Sequence, residues 1–129
     1  IAHPERITVF LTGDGSFMMS LADLHSAVRH RLRLLVVVCN DGALSGELHY
    51  LNDCGYSGEI AHSVHPGFEG LARSLGLQAV TIRGIDDLEV VRPALADLRG
   101  PMLLDCRVTR EVQAGSRDLF RSLISKGVV

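Results

Sequence analysis

Four short apolar runs that refuse to alternate constrain this chain more than any other feature. They are RITVFLT (Arg6–Thr12), LLVVVCN (Leu34–Asn40), LQAVTIR (Leu77–Arg83) and PMLLDCRV (Pro101–Val108). A strand with one wet face alternates apolar and polar residues. A strand covered on both faces reads as a continuous apolar run, the pattern of parallel sheets. Between the runs apolar residues recur at three-and-four spacing. Leu21, Leu24, Ala27, Val28 and Leu32 form one such set, and Phe68, Leu71, Ala72 and Leu75 another, stopped by Gly76. Leu88, Val91, Leu95 and Leu98 form a third, closed by Gly100-Pro101. Strand and helix in alternation predict an α/β fold: an open, mainly parallel sheet with helices on both faces, joined by right-handed crossovers. Residues 111–129 read as a tail or an arm packing on a partner, with a short helix around Leu119–Ile124.

The chain has 129 residues, enough for one domain with one ordinary core. Its net charge of -2 and the lack of basic runs argue against nucleic acid as a partner. No apolar run approaches the roughly 18 residues of a membrane span. The opening IAHPER has neither a basic nor an apolar leader region, so no secretory signal is expected. Cys39, Cys54 and Cys106 have no metal-type spacing, and a reduced, cytoplasmic protein is the expectation.

Two of the runs break into acidic, glycine-bearing turns: Gly13-Asp14-Gly15 after the first and Asn40-Asp41-Gly42 after the second. In open α/β sheets ligands bind beyond the carboxyl ends of the strands. Glycines there permit close backbone approach, and the following helix offers free N–H groups to a phosphate. A carboxylate beside a phosphate repels it unless a hard cation lies between them. Magnesium fits, since it takes one or two carboxylates plus substrate phosphates. The plain alternative is a pair of ordinary loops, for a lone Gly-Asp-Gly is common between strand and helix.

The stretch GDGSFMMSLADLHSAVRHRLRLLVVVCNDGAL, with 24 residues from Ser16 to Cys39 between the two turns, resembles the signature of thiamine diphosphate-dependent enzymes. There, Gly-Asp-Gly is followed at this distance by Asn-Asn. AHPERITVFLTGDGSF, HPGFEGLARSLGL and GPMLLDCRV resemble the flanking parts of the same domain, so the likeness covers about residues 2–110. It is closest to the acetolactate synthase, pyruvate decarboxylase and benzoylformate decarboxylase group.

The resemblance implies a cofactor domain acting with thiamine diphosphate and Mg2+ on a 2-oxo acid, by decarboxylation or carboligation. It implies Asp14, Asp41 and the Ala43 carbonyl as metal ligands. Gly13, Gly15, Ser16 and Leu44 would join them around the cofactor. Asp41 stands where the family has asparagine, which adds a negative charge beside the diphosphate. A rival register makes Asn40 the ligand. Glu47 matches a position where some family decarboxylases carry a proton-donating glutamate; its alternative is an acid favoured by the helix dipole. The family's domain begins with a further strand and helix, and its catalytic glutamate comes from a pyrimidine-binding domain. The chain is therefore expected to be N-terminally incomplete, either a piece of a longer enzyme or a split subunit, inactive alone and assembling as a homo-oligomer.

A non-catalytic cofactor-binding or assembly module and an unrelated nucleotide-binding domain are the competing readings. His49, His62 and His65 read as solvated or locally bonded histidines. Phe17, Met18 and Met19 read as pocket lining or core. Arg29, His30, Arg31 and Arg33 read as a solvated helix face.

Overall fold

The computed structural model describes residues 3–112 and, beyond them, Asp118, Ser122, Leu123, Ser125 and Lys126. The short helix expected around Leu119–Ile124 lies mainly outside the described residues. Four parallel strands form one sheet: β1 Thr8–Gly13, β2 Leu34–Asn40, β3 Gln78–Ile82 and β4 Met102–Arg107, in the order β1-β2-β4-β3. The helices are α1 Asp14–Met19, α2 Asp23–Arg29, α3 Ser45–Asp53, α4 Phe68–Ser74 and α5 Ile85–Ala96, with a 3-10 turn at Glu59–Ala61. All four predicted strands form within a residue or two of the expected bounds.

The strand order explains which helix covers which face. From β1 to β2 to β3 the chain advances in one direction across the sheet, and from β3 to β4 it steps back. A right-handed crossover that reverses direction must cross on the opposite face. One face accordingly packs Val36, Val38, Ala79 and Leu103 against Phe17, Leu24, Phe68 and Ala72 from α1, α2 and α4. The other packs Met102, Leu104 and Ile82 against Val91 of α5 and the buried Leu98 just after it. Phe17 and Phe68, both fully buried, meet edge to face with ring centroids 5.0 Å apart, locking α1 to α4.

Three expectations need correction. Gly13-Asp14-Gly15 is not a loop leading to a helix near Leu21. Helix α1 begins at Asp14 itself, with Gly13 extended before it (φ -81, ψ 165), and the Leu21-to-Leu32 pattern shrinks to α2. β1 is not covered on both faces. It is an edge strand, α5 does not reach it, and Val9 and Leu11 are 59% and 67% exposed. Nor do Arg29 to Arg33 form a solvated helix face. α2 ends at Arg29, Arg31 takes φ +48, and Arg33 donates to the carbonyls of Leu98 (2.8 Å) and Glu5. A basic side chain there serves as a strap under the loops.

Helix α4 stops where expected. Gly76 takes φ +93, a conformation that costs a side-chain-bearing residue about 1–2 kcal/mol. Helix α4 is also tied to β3 by Glu69, whose carboxylate accepts from the Thr81 hydroxyl (2.7 Å) and backbone N–H (3.0 Å) and pairs with Arg73 at 2.9 Å. These partners, the Thr81 hydroxyl foremost, hold the Glu69 carboxyl below the usual glutamate range. A carboxylate with a depressed folded-state pKa stabilises above its unfolded value and loses that contribution as pH falls through the folded one. Wild-type thermal stability should therefore fall below about pH 4.3 more steeply than that of Glu69→Gln. Melting curves across this range would show the two profiles converging at low pH.

Candidate functional site

The two acidic turns meet. They follow adjacent strands whose register pairs Gly13 with Cys39, so both emerge at the same edge of the sheet. Asp14, in the first turn of α1, is buried, and its carboxylate works in both directions. Oδ1 accepts the Gly15 N–H at 2.8 Å, and Oδ2 accepts the Gly42 N–H at 2.9 Å. A carboxylate at a helix start is favoured by the free N–H groups and the dipole. Gly42 presents its N–H only because it adopts φ +72, where an added Cβ would lie 3.2 Å from Arg110 Nη2. At Gly15 the Leu44 side chain packs directly over the backbone, and an added Cβ would lie 2.5 Å from Leu44 Cδ2 unless that side chain turned aside. At Gly13 nothing lies within 4 Å of such an atom.

Asp41 heads the second turn and holds it to the first residue of α3. Its Oδ1 accepts the Ala43 N–H at 3.1 Å and its Oδ2 accepts the Ser45 hydroxyl. Each oxygen keeps a further acceptor site. Ala43 faces His62 in an antiparallel bridge whose two bonds run from Leu44 N to Ala61 O (2.8 Å) and from Ser63 N to Gly42 O (2.9 Å). Neither uses the Ala43 carbonyl, and in this type of pair the central residue turns its own polar groups away from the partner strand.

Asn40 points elsewhere. Buried, it donates from Nδ2 to Asp105 Oδ1 at 2.8 Å, while Arg107 reaches Asp105 Oδ2 at 2.8 Å. Asp105 is fully buried, and this shared carboxylate clamps the ends of β2 and β4. Ser16 is exposed in the first turn of α1, and Leu44 is 47% exposed at the start of α3. Glu47 lies in the first turn of α3 and is exposed, so the partial burial that would suit it to proton donation is not provided by the described residues. Of the apolar trio, Phe17 is core and Met19 is 83% exposed.

His65 was not anticipated beside Asp14. Its Nε2 lies 3.5 Å from Asp14 Oδ2, outside hydrogen-bonding geometry, and finds no other partner among the described residues, while its ring stacks at a tilt on Phe68. Arg110 donates to His62 Nδ1 (2.8 Å) and to the Asp41 carbonyl, and its own carbonyl meets His49 Nε2 at 3.0 Å. His62, His65 and Arg110 line a cavity of about 320 Å³ together with Asn40, Gly42, Ser63 and Arg107. The one legible signal for this half of the site was Asp105, a carboxylate inside an apolar strand run, which needs a buried partner. His65 and Arg110 carried no signal, because their neighbours are remote in sequence.

This geometry defines a class: a parallel α/β domain with a carboxylate-bearing site where two strand-end turns meet. Residues 1–106 match the family described as thiamine pyrophosphate enzyme, C-terminal TPP binding domain, and the chain belongs to that family. It is 28% identical over 113 residues to the acetolactate synthase large subunit of Pyropia yezoensis, covering 84% of this chain and 19% of that protein. With the acetolactate synthase of Arthrospira platensis it shares 30% identity over 115 residues, covering 86% of this chain and 20% of that protein. The chain thus spans about a fifth of the length of these relatives. Its fold resembles that of the thiamine diphosphate-dependent 4-hydroxybenzoylformate decarboxylase of Rhodococcus jostii RHA1, with TM-score 0.75 at 20% identity over 84% of this chain and 21% of that one. Among the described residues no helix is long and apolar enough to cross a membrane.

The Asp14–Gly42 bond depends on glycine at position 42. Gly42→Ala should lower stability by about 1–2 kcal/mol, read as a shifted urea midpoint with unchanged slope. Gly46→Ala, at a position where an added Cβ meets nothing within 4 Å, serves as the contrast and should lose far less.

Proposed function

We propose that the chain binds thiamine diphosphate through Mg2+ held by the Asp14 and Asp41 carboxylates and the Ala43 carbonyl. Gly13, Gly15, Ser16 and Leu44 lie around the diphosphate. The observation that carries this reading is the buried Asp14 carboxylate joined to the second turn with no Lys or Arg paired to it among the described residues. A buried carboxylate approached by the His65 imidazole at 3.5 Å, and by no Lys or Arg among the described residues, is costly, and a bound cation offsets the cost. The donor set suits a hard ion: two carboxylates with remaining acceptor sites and one outward carbonyl. Asn40 is the poorer ligand, because its amide is committed to Asp105.

Held by these residues, thiamine diphosphate would supply the carbanion stabilisation that decarboxylation of a 2-oxo acid needs. The residues of this chain do the holding. Asp14 sets the distance between the turns, Gly42 donates to it, and the bare Gly15 backbone allows the close packing against Leu44. Glu47, at the start of α3, is assigned the proton-donating role. That role needs a further segment to bury it. The reaction is carried out on a 2-oxo acid by an assembly that adds a pyrimidine-binding domain, from the same or a partner chain, within a homo-oligomer. Acting in isolation, the 129 residues do not turn over substrate. A module that binds the cofactor without catalysis is the second reading, favoured by the exposure of Glu47.

Titration calorimetry tests this. Thiamine diphosphate should bind in the presence of magnesium and lose its heat when EDTA is added, whereas ATP with magnesium should give none. Asp41→Ala should weaken binding by more than the roughly 10–100-fold typical of changes around a metal site. Equal affinity of Asp41→Ala and wild type would overturn the ligand assignment.

A further inference from the structure

Cys39 and Cys106 are register partners on the adjacent parallel strands β2 and β4. Paired residues of neighbouring strands send their side chains to the same face, and their backbones lie about 4.7–4.9 Å apart. That separation is inside the roughly 4.4–6.8 Å Cα span of disulfides. Both thiols are free and partly buried. They also sense one another. Burial first, then Cys39, then Asp105 push the Cys106 thiol above the usual cysteine range.

The row across the sheet at this level reads Gly13, Cys39, Cys106, Ile82. Gly13 contributes no side chain, and a Cβ placed there would meet nothing within 4 Å. A small reagent can therefore reach Cys39 from the β1 side. Each cysteine is the last residue but one of its strand, ahead of Asn40 and Arg107. Closure needs the Cβ atoms to reach about 3.5–4.5 Å.

We propose that Cys39 and Cys106 form a reversible disulfide site, oxidised by a low-molecular-weight disulfide such as oxidised glutathione. The Cys39 thiolate attacks one sulfur of the oxidant, forming a mixed disulfide and expelling one glutathione thiolate. Cys106 then loses its proton to solvent and attacks the Cys39 sulfur, closing the protein S–S bond and expelling the second glutathione thiolate. Two protein thiols are oxidised by two electrons, and one oxidant disulfide is reduced to two thiols. The thiolate is the attacking form at each step.

Closure also tugs on the site. Asp41 follows Cys39 by two residues, and Arg107 follows Cys106 directly, so moving the strand ends from about 4.8 Å toward the roughly 5.5–6 Å Cα separation that disulfides favour shifts the turn that carries Asp41 and Gly42. This coupling, though not the disulfide itself, rests on the cofactor reading above. The oxidised protein binds magnesium and thiamine diphosphate more weakly, by about tenfold, the lower end for changes around a metal site.

The test uses the full 129-residue chain carrying Cys54→Ala, exposed natively to oxidised glutathione. Intact mass should fall by two hydrogens, peptide mapping should show Cys39 joined to Cys106, and dithiothreitol should reverse both. With Cys106→Ser added, Cys39 should stop as a glutathione adduct. Separate glutathione adducts on the two cysteines with no crosslink would overturn the disulfide site. So would thiols that stay unreacted in the native protein but react in urea. Calorimetry on the reduced and oxidised forms reads the coupling, which equal affinities would refute. A reduced protein that binds no cofactor would take down the cofactor reading and the coupling together, and the disulfide site would still stand or fall on the mass result.

Discussion

The site is organised by a single buried carboxylate. Asp14 accepts one N–H from its own helix and one from the Gly42 turn, so two segments that follow different strands are held at a fixed separation. Each end of that arrangement has its own requirement. Asp14 must lie in the first turn of α1, where free N–H groups favour an anion. Gly42 must adopt a positive φ to present its N–H. Neither would meet the other without the parallel pairing of β1 and β2, which brings both strand ends to one edge. A charge buried in this way asks for compensation, which the Mg2+ proposed at this site would supply.

A second buried carboxylate does a different job. Asp105 bonds Asn40 on the neighbouring strand and Arg107 on its own, closing the carboxyl ends of β2 and β4. This separates the roles of two adjacent residues. Asn40 is spent on structure, and Asp41 is left at the turn with spare acceptor sites. Asn40 cannot be exchanged freely, because losing its amide would leave the buried Asp105 carboxylate short of a donor.

Much of the fold was legible because apolar periodicity and strand burial report the same physics. Val36 and Val38 face α1, α2 and α4 while Leu35 and Val37 face the other side, so β2 reads as continuously apolar. β1 misled for an equally physical reason: RITVFLT is apolar on both faces, yet in these residues nothing lies over Val9 and Leu11. The GDG segment misled in another way. Glycine and aspartate are common in turns, but aspartate is also a good first-turn residue, and α1 uses it so.

The sequence by itself determined the alternation of strands and helices, the two acidic breaks, and the distance between them. These are local or periodic properties, set by side-chain size, backbone freedom and the spacing of apolar residues. Only the tertiary structure decided that β4 inserts between β2 and β3, that Asp105 clamps Asn40, that His65 approaches Asp14, and that Arg110 closes in on the second turn. Those relations join residues far apart in the chain, and no local preference encodes them. They follow from burying a sheet on both faces while giving its few interior charges a partner.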